Sequence, residues 1–101
     1  MKKTFTLSHP KLKVPRVVES IKNDVRKYLR RERKKKLPEN ANFWDFDCKF
    51  GHTEKEAEKI QEPEIIKCID EAEYLKLDSF YLEILAKPGF KEKKKYSVEK
   101  E

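Results

Sequence analysis

Two groups of residues in this chain have the type and spacing to do chemistry. In "FWDFDCKF", residues 43–50, Asp45 and Asp47 alternate with Trp44, Phe46 and Cys48. Alternate residues of a strand share a face, so the two carboxylates would stand side by side, as Mg²⁺ ligands do in phosphoryl-transfer sites. Such an ion needs further ligands, and Glu83 is the acid that falls on the same face. The second group is "RKYLRRERKKK", where Arg26, Lys27, Arg30, Arg31, Arg33, Lys34, Lys35 and Lys36 surround the single acid Glu32. Cations massed this densely attract polyanions, above all the phosphates of nucleic acid.

The other reactive residue types are sparse. His9 precedes Pro10 and His52 follows Gly51, which are turn settings, and the pattern brings no partners near either for a zinc site. Cys48 and Cys68 sit in apolar patterns with no CxxC, so they read as reduced core thiols. The chain has only two glycines and no Gly-rich phosphate loop, Ser-His-Asp set or Cys-His pair. We therefore expect no cofactor, no resident metal and no catalysis.

Six elements position these groups. "KKTFTLS" alternates, with Phe5 and Leu7 on one side, and reads as a half-buried strand. Val14, Val17, Val18, Ile21, Val25, Tyr28 and Leu29 fall at helical spacing behind Pro15, and Pro38 bars the helix from continuing far. "FWDFDCKF" is a second strand, with Trp44, Phe46 and Cys48 facing the core, and after the Gly51-His52 turn residues 54–61 read as a poor edge strand or a helical piece, the turn favouring the strand. In "EPEIIKCIDEAEYLKL" the stripe Ile65, Cys68, Ile69, Ala72 and Leu75 follows Pro63 and marks a second helix. "SFYLEILAKPG" alternates Phe80, Leu82 and Ile84 against Tyr81 and Glu83 as the last strand.

Strand, helix, strand, strand, helix, strand is the ferredoxin-like split βαββαβ pattern, an α+β fold with a four-stranded antiparallel sheet and both helices on one face. A single domain over residues 1–89 with a charged, flexible tail over 90–101 is expected. The usual strand order, 4-1-3-2, would put Glu83 on the opposite edge from Asp45 and Asp47, about 14 Å away at three strand spacings of ~4.8 Å. One ion does not span that distance. The open sheet face would carry Thr4, Thr6, Asp45, Asp47, Tyr81 and Glu83. Its carboxylates repel phosphate, which argues against the base-stacking mode of RNA-recognition motifs.

The basic run then belongs to the end of the first helix. Its apolar stripe stops at Leu29, and beyond it the cations point nearly all round the axis, so the end is expected to project as a charged rod or fray into a basic loop. Favourable interaction with the helix dipole, about 0.3–1 kcal/mol per cation in the last turn, accounts for two or three of them. Pairing with Glu64, Asp70, Glu71 and Glu73 of the second helix would be worth only about 0–1 kcal/mol per exposed pair. Charge is segregated along the chain, since residues 37–86 carry five Lys or Arg against thirteen acids although the net charge is +6. With no apolar run of membrane-spanning length and no secretory leader, the expectation is a cytoplasmic binding module. It would contact RNA or DNA phosphates through Arg26–Lys36, aided by Lys2, Lys3 and the "KEKKK" tail. The alternative is a protein-interaction adaptor whose basic helix end meets an acidic protein surface and whose acidic sheet face meets a basic one.

"KKTFTLSHPK", "FWDFDCKFG" and "SFYLEILAKPG" resemble segments of a family of small bacterial proteins classed as a domain of unknown function, with the likeness running to about Gly89. The resemblance implies a bacterial cytosolic protein. It implies no activity, cofactor or site residue.

Overall fold

Val17, Val18, Ile21, Val25 and Leu29 are all buried along one side of α1, Val14–Arg33, as their spacing predicts. Pro15 lies in the first turn, where its missing N–H costs nothing. The computed structural model describes residues 1–90, so all of the expected tail except Phe90 lies outside the described residues. Around α1 stand β1 (Lys2–Thr6), β2 (Phe43–Gly51), β3 (Glu58–Ile60), α2 (Ile65–Tyr74) and β4 (Ser79–Gly89), with a 3₁₀ turn at Glu62–Glu64 leading into α2.

All four strands join one antiparallel sheet, but in the order β1-β4-β2-β3 and not 4-1-3-2. Both orders interleave two βαβ units; they differ in which strands take the centre. Composition explains the outcome. Phe80, Tyr81, Leu82 and Ile84 of β4 are all buried, which suits a strand flanked on both sides. In β1 only Phe5 is buried, while Lys2 and Lys3 are exposed, the charged make-up of an edge.

The core is one cluster between the sheet and both helices. Phe5, Leu7, Phe46, Cys48, Phe80, Leu82 and Ile84 meet Val18, Ile21, Val25 and Leu29 of α1 and Ile65, Ile69 and Ala72 of α2. The expected face of β2 holds, with Phe46 and Cys48 buried, Trp44 packed against the cluster and Asp45 exposed. Lys22 is also buried, its ammonium paired with Asp70 of α2. That charged contact links the two helices.

The turns fix where each element stops. Gln61 N–H donates to Glu64 Oε1 at 2.7 Å in a capping box that opens the path into α2. At its other end Lys76 takes φ 59°, Lys76 N–H donates to Glu73 O, and Leu77 N–H donates to Ala72 O, the paired bonds of a Schellman motif. Leu75 therefore leaves the expected stripe and is 57% exposed. The edge strand foreseen within 54–61 shrinks to three residues, because Thr53–Glu56 turn first. Gly51 has a packing reason: a Cβ there would sit 2.6 Å from Ala57 Cα. Gly89 has another, since Phe43 lies across it in the β2–β4 register and occupies the space a side chain would need. No helix among the described residues is long and apolar enough to cross a membrane.

Candidate nucleic-acid interface

The basic run neither projects freely nor frays. α1 ends at Arg33, and Lys34 N–H and Lys35 N–H donate to Arg31 O and Glu32 O to close the last turn. Trp44 Nε1–H of β2 then donates to Lys35 O at 2.9 Å. This bond ties the segment after the helix to the sheet and corrects the expectation of a loose rod or loop.

Nor are the cations spread evenly around the axis. At 100° per residue Arg26, Arg30, Arg33 and Lys34 fall on one flank of α1, and all four line a groove against the start of α2. The groove has a volume of about 450 Å³. Val25, Leu29, Pro63, Ile65 and Ile66 form its apolar lining, and Glu62 is its one acid. Lys27 and Arg31 occupy the solvent side of the helix, while Lys35 and Lys36 continue beyond it.

Internal pairing uses only part of this charge. Arg33 Nη2 meets Glu62 Oε2 at 2.5 Å, and its guanidinium lies 5.3 Å from the centre of the Phe46 ring. Lys35 pairs with Glu32 at 2.9 Å, Arg31 lies over Tyr28, and Arg26 donates to Asn23 Oδ1 at 3.2 Å. Burial and the Glu32 carboxylate push the Tyr28 phenol up, against the opposing pull of Lys35 and Arg31. Of the acids expected to neutralise the run, Asp70 pairs instead with Lys22, and Glu62, which sequence reasoning did not single out, pairs with Arg33. Arg26, Lys27, Arg30, Lys34 and Lys36 are exposed and form no salt bridge among the described residues.

The carboxylates of the open face are arranged differently from the expectation. Because β4 lies beside β2, Glu83 stands opposite Lys49 in the register and not on a far edge. Asp47 accepts from Lys87 Nζ at 2.9 Å, and Asp45 Oδ1 accepts from the N–H of Phe46. The hydrogen bond from Lys87 holds the Asp47 carboxyl below its usual range, and the same contact raises Lys87. Glu83 accepts from the Tyr81 hydroxyl at 2.8 Å; burial, then Glu83, pushes that phenol up to about 12. Lysines interleave with the acids: Asp47 pairs with Lys87, and Asp45 and Glu83 stand opposite Lys87 and Lys49 in the register. Among the described residues no three His, Cys, Asp or Glu side chains are grouped to hold a metal ion. Thr4 and Thr6 are exposed as expected, but Tyr81 is buried and offers no ring for base stacking.

The remaining candidates play structural parts. His9 Nδ1 accepts the N–H groups of Lys11 and Leu12, both at 3.0 Å, and His52 lies exposed in the turn after β2. Cys48 and Cys68 are free thiols, buried and half-buried. Burial, reinforced by Glu62 and Asp47, pushes Cys48 up to about 11, and burial also raises Cys68.

No curated protein and no solved structure matches the chain. A family model covers residues 1–95, and the protein therefore belongs to that family of unknown function, DUF6172.

Proposed function

We propose that the protein is a non-catalytic nucleic-acid-binding module that grips phosphates with the basic end of α1. One observation carries the reading: five exposed cations, Arg26, Lys27, Arg30, Lys34 and Lys36, lack an acidic partner among the described residues on a segment that Trp44 holds in place. Holding like charges together opposes their mutual repulsion, and a phosphate backbone relieves it. Arginine adds a planar fork that matches phosphate oxygens. The reading takes the protein as cytoplasmic and bacterial, with RNA or DNA as the partner and contacts that are weakly sequence-specific.

The apolar lining of the groove favours a second reading, an adaptor that receives an acidic amphipathic segment of another protein. The test is direct titration with RNA and DNA oligonucleotides at several salt concentrations, read by fluorescence anisotropy. Micromolar-range binding that weakens steeply with salt supports the first reading. Absence of binding at ~50 mM salt, where such contacts are strongest, rejects it.

A further inference from the structure

The strongest unassigned feature is the groove between the end of α1 and the start of α2, because its chemistry is of two kinds. Arg26, Arg30 and Lys34 succeed one another every fourth residue, so their stems rise in steps of about 6 Å along the helix. That repeat is commensurate with successive phosphates of one nucleic-acid strand. Behind this row the lining is apolar, with Val25, Leu29 and Ile65 belonging to the core and Ile66 and Pro63 reaching the surface. The one acid, Glu62, is already neutralised by Arg33.

Duplex phosphates would use the cations and leave the lining unused, because paired bases are stacked out of reach. An unpaired strand presents both chemistries together: phosphates for the row and an unstacked base for the apolar wall, with arginine guanidinium planes available to stack on it. We propose that this groove makes the protein selective for single-stranded over double-stranded nucleic acid, seating one base against Ile66 and Pro63 while Arg26, Arg30 and Lys34 hold the flanking phosphates. The proposal rests on the phosphate-binding reading above and specifies its ligand. An acidic amphipathic helix reaches the same step of about 6 Å only where it carries a carboxylate at every fourth residue, whereas every nucleotide of a strand carries a phosphate.

The test compares a fluorescein-labelled oligouridylate 12-mer, an oligothymidylate 12-mer and a mixed-sequence 12-base-pair duplex, all titrated with the full chain at one salt concentration. At least about fivefold tighter binding of the single strands is expected, about the least that one base gains on an aromatic platform, as suits an aliphatic wall. Ile66→Gln is expected to remove most of that preference while leaving the salt slope unchanged, because no cation is lost. Pro63→Ser, at an exposed position, is the second variant should Ile66→Gln fail to fold by far-UV circular dichroism. Equal or tighter binding of the duplex overturns this inference and leaves the phosphate-binding reading standing. Absence of binding by every oligonucleotide overturns both. Displacement of the single strand by a helical peptide carrying Glu at every fourth position, added as competitor, overturns the inference in favour of a protein partner.

Discussion

Glu62 is the residue whose removal most sharply separates folding from binding. Its carboxylate holds Arg33 at 2.5 Å across a contact whose partners keep 49% and 30% of their side-chain surface exposed. A pair so open to water contributes at most about 1 kcal/mol to stability. In a domain of this size Glu62→Gln should therefore lower Tm by no more than about 4–8 °C. Binding should move the other way. The freed guanidinium joins Arg26, Arg30 and Lys34 along the groove, and one added phosphate contact steepens the dependence of log K on log salt by up to about 0.9 on duplex DNA, somewhat less on single strands. At ~0.1 M salt, one decade below 1 M, that amounts to at most about eightfold tighter binding. Thermal melts and salt-dependent anisotropy read the two effects on the same preparation. Arg33→Gln is the control, destabilising to a similar degree with no gain in affinity. A destabilised Glu62→Gln variant with unchanged affinity and slope would refute the idea that Glu62 and nucleic acid compete for Arg33.

Three further outcomes follow from local structure. Lys76 carries its side chain at φ 59°, where a lysine is strained and glycine is not, so Lys76→Gly should raise stability by up to about 1 kcal/mol in urea unfolding. With two free thiols, one buried and one half-buried, an aromatic disulfide reagent near neutral pH should label Cys68 first and Cys48 only at the rate of opening. Tyr81 is held protonated up to about 12 against about 10 in the unfolded chain. Between those values the native state keeps a proton that the unfolded state has lost, so this group's contribution is full below pH ~10 and declines as pH rises toward 12. The urea midpoint of Tyr81→Phe should accordingly fall less than that of the parent between pH 9 and 11.

The parts of the fold that the sequence made legible are those governed by a repeating pattern. The valine and isoleucine stripe of α1 and the alternation in "FWDFDCKF" declare their buried faces directly. Strand order does not follow from period, because it is set by which strand has enough apolar surface to be flanked twice. The unbroken "FYL" of β4 was the signal for a central strand, and against it the lysines of β1 pointed to an edge. Misplacing β4 also misplaced Glu83, whose neighbour is Lys49. At the candidate site the count of cations was plain, but their confinement was not. The row of Arg26, Arg30 and Lys34 has a legible i, i+4 spacing. Its apolar partner wall comes from Pro63 and Ile66, 29 to 40 residues further along the chain, and the Trp44–Lys35 anchor depends on an indole meeting a backbone carbonyl. Neither leaves a local signature.

The salt dependence of binding after removal of the unpaired cations tests most directly whether the end of α1 holds phosphates. Replacing Arg26, Arg30, Lys34 and Lys36 with Gln takes away four exposed charges, none in the core cluster, so the fold should survive. The slope of log K against log salt should fall by up to about 3.6 on duplex DNA, at about 0.9 for each lost phosphate contact, and somewhat less on single strands, with affinity falling alongside it. A folded variant that binds with the parent's affinity and slope would contradict the claim that the end of α1 holds the phosphates.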